Sequence, residues 1–286
     1  MQMMRVLVLG ASGMLGNAML RVMSEQDNWT VYGTLRSPNP VLKALAPKAQ
    51  LLHGIHADQP DSLLAAFIQS RPQVVINCVG LVKQLASAED PLEAIPINAL
   101  LPHRLARLCE LTQARLVHIS TDCVFSGRKG MYSEVDMPDA EDVYGRSKLL
   151  GEVSDRHAIT LRTSIIGHEL GRDCGLIGWF LSQQGRVKGY TEAIFSGLPT
   201  VELARVVRDY VIPNAALHGL YHVAVEPISK HDLLQVVNLV YAKALQIEPD
   251  DRVKINRSLD ASRFKQATGY VAPAWPDLIA QMHAFR

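Results

Sequence analysis

The sequence predicts an α/β protein: a doubly wound parallel sheet with helices on both faces, and a smaller lobe interleaved with its later part. Three observations predict it. Six short apolar runs recur over the first 165 residues, amphipathic helical stretches separate most of them, and a glycine-rich turn joins the first run to the first helix.

The runs are RVLVLG (5–10), TVYGTL (30–35), QLLHGI (50–55), QVVINCVG (73–80), ARLVHIS (114–120) and AITLRTS (158–164). Their near-continuous apolar character suits strands buried on both faces, as in parallel sheets. MLGNAMLRVMSE, PDSLLAAFIQS and PINALLPHRLARLCELT carry helical periodicity between them. Residues 1–165 read as the nucleotide-binding unit, with returns to its sheet near 200–225, and residues 166–286 as the lobe. In the lobe the pattern loosens into Gly and aromatic residues, with helices expected around Leu176–Gln184 and over 201–212, 230–245 and 274–285.

Composition narrows the function classes. With 48% apolar residues, 20% charged residues and a net charge of +1, no field favours nucleic acid or an anionic membrane. The four cysteines are widely spaced, with no CxxC pair, so neither a disulfide framework nor a zinc site is expected. Cys78 and Cys109 read as buried thiols. No export signal precedes the first strand and no run approaches the roughly 18 apolar residues of a membrane span. A reduced, cytoplasmic protein is the expectation.

GASGMLG (10–16) lies between the first strand and the first helix. Gly10 permits a tight turn, Gly13 lets the backbone approach a diphosphate, and Gly16 allows close helix–sheet packing. The helix start adds open N–H groups and a positive dipole end, so a dinucleotide is expected. Arg36 ends the second strand where NAD binders carry an acidic residue, and a guanidinium suits a 2′-phosphate, favouring NADP(H). Asp58 either meets the adenine amino group or caps the helix ahead of Pro60.

EDVYGRSKLLGE (141–152) puts Tyr144 and Lys148 on one helix face. A phenol keeps its proton at neutral pH and can donate it to a developing alkoxide, and a neighbouring ammonium lowers the phenol pKa. STDCVFSG (120–127) brings the Ser120 and Thr121 hydroxyls to the carboxyl edge of the fifth strand, where ligands sit in open α/β sheets.

With these motifs the chain resembles the extended short-chain dehydrogenases/reductases, and within them the dTDP-4-dehydrorhamnose reductase group. The resemblance rests on GASGMLG, NCVG, PINALLPHRLA, STDCVFSGRKGMYSE, VYGRSKLLGE, LRTSIIG and SGLPTVELA, in that order, over nearly the whole chain. It implies a Rossmann-like fold, with Tyr144 as proton donor, Lys148 as modulator and ribose anchor, and Thr121 orienting the substrate carbonyl. It implies cofactor contacts at Gly10, Ser12, Gly13, Met14, Leu15 and Gly16, at Cys78, Val79 and Gly80, and at Arg36, Asp58, Tyr144 and Lys148. Sugar-nucleotide contacts fall on Lys83, Gln84, Ser120, Cys123, Arg162, Ser164 and Arg257; Lys83 and Gln84 also fit a solvated loop, and Arg162 a structural role. Asn98 fits a structural or a catalytic role, while His118 and His222 read as satisfied core histidines.

The implied reaction is NADPH-dependent reduction of the 4-keto group of a nucleotide-activated 6-deoxyhexose, by a cytoplasmic protein that forms a homodimer. Dehydratases of the superfamily read STDEV; here Cys123 follows Asp122, so the second carboxylate is missing. Epimerases hold NAD, against which Arg36 argues. A related protein serves as a regulatory subunit of methionine adenosyltransferase, which makes NADP binding without turnover the non-catalytic alternative. Cys123 and Ile165 replace aromatics of the rhamnose group, and Ala18 stands where several members carry a metal-linked Glu, so no metal is carried over.

Overall fold

The computed structural model describes residues 3–81, 86–171 and 175–286. Six strands form on the apolar runs: β1 (Met4–Leu9), β2 (Trp29–Thr34), β3 (Gln50–Leu52), β4 (Val74–Asn77), β5 (Arg115–Thr121) and β6 (Ala158–Thr163). A later strand, Gly219–His222, joins beyond β6, so the seven strands lie in the order 219–222, β6, β5, β4, β1, β2, β3. Every pairing is parallel, which bears out the doubly wound sheet. From β1 the chain runs to one edge and from β4 to the other. The carboxyl ends of β1 and β4 therefore flank a crevice at the topological switch point.

Alternation along the strands splits the apolar mass into two cores. Val6 and Val8 pack with helix α1 (Met14–Met23) and with helices Thr200–Val206 and Trp275–Ala284. Leu7 and Leu9 pack on the opposite face against helices Pro60–Ser70 and Leu101–Thr112. Burial on both faces is why these strands are apolar at nearly every position.

The expected helix at the start of PINALLPHRLA is irregular. A π turn, Ile95–Leu100, leads into helix Leu101–Thr112. Pro102 has no N–H to donate to the Asn98 carbonyl four residues back, so the regular ladder is broken there. The helix expected over 230–245 stops at Val240. Asn238 ends it by bracketing Leu245: its amide donates to the Leu245 carbonyl at 3.0 Å and its carbonyl accepts the Leu245 N–H at 3.2 Å.

Short strands of the later region were not expected from the sequence. Ala193–Phe195 pairs with Ile228–Ser229 and Ile255–Asn256, Arg186–Tyr190 with Gln246–Asp250, and Ile165–Ile166 with Leu198–Pro199. Among the described residues no helix is long and apolar enough to cross a membrane, and no cluster of three or more metal-ligating side chains occurs.

Candidate active site

The glycine turn closes tightly on itself. Gly10 sits at φ 75°, and a Cβ on Gly16 would lie 2.0 Å from the Gly10 carbonyl oxygen, so neither position accepts a side chain. Gly13 begins α1 without a side-chain cap, and Ser12 and Gly13 are exposed. Across the crevice β4 is followed by half-buried Cys78 and Val79 and exposed Gly80. The open helix start and bare backbone fit a dinucleotide diphosphate. Met14 is half-buried and Leu15 buried at the base of this cradle. Cys78, expected to be buried, is half-buried as a residue, packed against the main core with its thiol desolvated.

Arg36 is exposed beyond the end of β2 and makes no hydrogen bond or ion pair among the described residues. Asp58 is exposed in the turn before helix Pro60–Ser70. Its capping alternative fails, because Gln59 occupies the N-cap and no side chain caps that helix.

Helix Val143–Leu150 starts at Asp142, whose carboxylate accepts the Gly145 N–H at 2.7 Å. The helix lays Tyr144 and Lys148, 9% and 5% exposed, against the carboxyl end of β5. The Thr121 hydroxyl accepts the Cys123 N–H at 3.1 Å, donates to Asp122 at 3.2 Å and hydrogen-bonds the Tyr144 phenol. Lys148 Nζ donates to the Ile119 carbonyl at 2.7 Å. Thr121, Tyr144 and Lys148 thus share one buried edge.

Burial raises the Tyr144 pKa, with Cys123 and Asp122 adding to the rise and the Thr121 hydrogen bond opposing it. Desolvation is the largest of these effects, so the phenol stays protonated. Burial lowers Lys148 to about 8, while Glu152 and Cys78 hold it up. Asp122 is raised, again by burial, against the pull of Arg257. Asn98, 1% exposed, accepts the Leu81 N–H at 3.0 Å and donates to Ser147 Oγ at 3.2 Å, tying the segment after β4 to the Tyr144 helix.

The remaining expected contacts divide. Cys123 is half-buried beside Tyr144. Arg257 donates its Nε–H to the Phe125 carbonyl at 2.7 Å and its charge bears on Asp122, so it lies beside the Thr121–Tyr144 edge. Ser164 is half-buried and its carbonyl accepts the Leu198 N–H at 2.9 Å. Ser120 and Arg162 depart from a substrate-facing placement: both are buried, and Glu152 engages the hydroxyl and the guanidinium. Lys83 and Gln84 lie outside the described residues. His222 is satisfied, with Nδ1–H donating to the Tyr132 carbonyl at 2.9 Å. His118 is not: Nδ1 meets the Asn77 amide at 3.1 Å, but Nε2 has no partner among the described residues.

Sequence reasoning missed a pocket of about 380 Å³ in the later region, lined by Trp179, Arg186, Lys188, Tyr190 and Lys230, among others. Two aromatic rings and three cations are a donor set for a base and a diphosphate. Lys230 links it to the Asp122 edge, since its charge also bears on Asp122. These residues come from a helix, a strand and a second helix, so no single motif could mark them. A larger depression of about 740 Å³ along Gln235–Lys243 contains none of the candidate residues.

The chain is 26% identical over 302 residues to the probable low-salt glycan biosynthesis reductase Agl14 of Haloferax volcanii, with 98% of each chain covered. A stretch of 148 residues is 32% identical to methionine adenosyltransferase 2 subunit beta of Rattus norvegicus, covering 52% of this chain and 41% of that protein. The crystal structure of dTDP-4-dehydrorhamnose reductase from Bacillus anthracis in complex with NADP superposes with a TM-score of 0.80 over 99% of both chains, at 20% identity, a likeness of fold. The family profile described as RmlD substrate binding domain matches residues 4–283. The chain therefore belongs to the RmlD substrate-binding family, within the extended short-chain dehydrogenase/reductase type that its motifs resemble.

Proposed function

We propose that the protein reduces the 4-keto group of a nucleotide-activated 6-deoxyhexose with NADPH, as a dTDP-4-dehydrorhamnose reductase-like enzyme supplying surface polysaccharide or glycoconjugate precursors in the cytoplasm. The observation that carries this reading is the convergence of Thr121, Tyr144 and Lys148 on one edge beside the glycine-turn crevice. NADPH, when bound, supplies a hydride to the keto carbon. Burial keeps the proton on Tyr144, which donates it to the carbonyl oxygen as the alcohol forms. Thr121 orients that oxygen, and Lys148, one turn further along the helix, anchors the ribose hydroxyls and offsets the charge left on the phenolate.

Around this centre the other residues sort by chemistry. Gly10 to Gly16 hold the diphosphate of the cofactor and Arg36 its 2′-phosphate, with Asp58 at the adenine and Cys78 to Gly80 lining the crevice. Residues 1–165 supply the cofactor side and residues 166–286 the sugar-nucleotide side. There Trp179 and Tyr190 suit the base, while Lys230 and Arg257 suit the diphosphate. Two copies forming a homodimer complete the expected state.

The test is NADPH oxidation by the purified protein with dTDP-, UDP- and GDP-4-keto-6-deoxyhexoses. Oxidation with one of them supports the reading and fixes nucleotide and sugar together. Tight NADPH binding without oxidation of any overturns it in favour of a regulatory subunit, the reading that the half-length match to methionine adenosyltransferase 2 subunit beta favours.

A further inference from the structure

Beneath the Tyr144 helix the sheet presents polar side chains where an apolar face is the rule. Parallel register aligns Asn77, His118 and Thr160 across β4, β5 and β6, and aligns Ser120 with Arg162 two residues further on. All five are buried. Glu152, four residues after Lys148, reaches into this layer and uses both oxygens. Oε1 accepts from Ser120 Oγ at 2.7 Å and from Arg162 Nε at 2.8 Å, and Oε2 accepts from Arg162 Nη2 at 2.7 Å. The Glu152 and Arg162 side chains are only 12% and 4% exposed. Arg162 is itself held from behind, 5.2 Å over the Phe125 ring with Nη1 3.4 Å from His222 Nε2.

Several groups face Lys148 from the packed elements. Its own helix brings Tyr144, protonated, and the chain just beyond it Glu152; β4 brings the Cys78 thiol, kept neutral by burial; β5 brings His118, also neutral. Arg162 of β6 stands behind Glu152. Asn98 and Ser147 are neutral and paired to each other. Glu152 is thus the anion beside Lys148, stapled to the two strands that carry Ser120, Thr121 and Arg162.

We infer that Glu152 is a positioning residue of the active site: by binding Ser120 and Arg162 it fixes the Tyr144 helix against β5 and sets its carboxylate beside the Lys148 ammonium. Its effect on turnover rests on the proposed reductase reading; its effect on Lys148 does not.

The experiment titrates the Lys148 amine by NMR in ¹³C-lysine-labelled full-length protein, the signal assigned by its loss in Lys148→Met. The wild-type midpoint is expected near pH 8. Glu152→Gln preserves shape, and the midpoint should move to roughly tenfold higher proton concentration. The alkaline limb of NADPH oxidation should move with it. Because Glu152→Gln strands a buried guanidinium and can fail to fold, Glu152→Gln/Arg162→Met is measured alongside it. A folded double variant with the displaced midpoint supports the inference. A double variant with wild-type Tm and an unmoved midpoint overturns it and leaves Glu152 a structural ion-pair partner. A displaced midpoint in a protein that reduces no sugar nucleotide supports Glu152 and rejects the reductase reading.

Discussion

Gly151→Ala isolates how closely the Tyr144 helix must approach its neighbour. Gly151 has φ −88° and ψ −1°, which alanine adopts freely, so backbone strain does not enter. The added Cβ would fall 1.9 Å from the Asn98 carbonyl oxygen, 3.0 Å from its carbon and 3.2 Å from Pro102 Cγ. Real Cβ atoms stay at least 3.0 Å away, so a gap of 3.0 − 1.9 = 1.1 Å must open. Asn98 cannot give way cheaply, being buried and held through Leu81 and Ser147, and the Pro102 ring is stiff. The displacement therefore falls on the end of the helix that carries Lys148. Overpacking of this kind costs about 1–3 kcal/mol. At roughly 2 °C per kcal/mol for a chain this long, Tm should fall by about 2–6 °C. A misplacement near 1 Å should cost turnover about 10²-fold. Scanning calorimetry and NADPH oxidation with the identified substrate measure both. Wild-type turnover in a folded Gly151→Ala protein would refute the argument that this contact sets the catalytic geometry.

Other substitutions separate fold from function. Gly13 has φ −73° and ψ 165°, and an added Cβ would meet only the Gly10 carbonyl oxygen at 3.4 Å, so Gly13→Ala should keep its Tm while NADPH binding weakens tenfold or more; unchanged binding by fluorescence titration counts against the cradle. Arg36→Ser should lower NADPH affinity about 10–100-fold and leave NADH binding alone, and an unchanged cofactor preference removes Arg36 from the site. Tyr144→Phe should lose about 10²-fold or more in kcat with NADPH affinity retained; near-normal turnover sinks the proton-donor role. His222 is lowered to about 4 by burial, with Arg162 adding, against about 6.5 when unfolded. Its folded pKa lies below its unfolded one, so the stability it contributes is complete above about pH 6.5 and is lost as pH falls toward 4, by on the order of 3 kcal/mol. Calorimetry between pH 7 and 4.5 should show that decline, flattened in His222→Gln.

The sheet was legible in the sequence because burial on both faces writes each strand as an unbroken apolar run. RVLVLG became Met4–Leu9 and AITLRTS became Ala158–Thr163, each within a residue or so. The short strands of the later region left no such trace. Arg186–Tyr190 is the segment RVKGY, exposed at its first and third positions, and its partner Gln246–Asp250 contains a proline. Neither run is apolar enough or long enough to separate from loop. Helix Pro40–Leu45 was missed although its signal was present: Asn39 caps it by accepting the Leu42 N–H at 2.9 Å, and Pro40 takes its first position.

The candidate site shows the same division at finer scale. Thr121, Tyr144 and Lys148 were readable because each belongs to a local motif whose element aims it: a strand end for one, one helix face for the other two. What the motifs could not state is which neighbour satisfies which group. Ser120 and Arg162 looked available for a sugar, yet both answer to Glu152, four residues beyond Lys148 in the same quoted segment. Only strand register reveals this, because Ser120 and Arg162 become neighbours through the pairing of β5 with β6. The loss of aromatics at Cys123 and Ile165 likewise suggested a site poor in ring surface. Trp179 and Tyr190 restore ring surface in the later pocket, alongside three cations. If that pocket takes the nucleotide, the substitutions at Cys123 and Ile165 act on the sugar alone, and the selectivity of this enzyme toward the hexose should change without loss of nucleotide affinity when either is made aromatic.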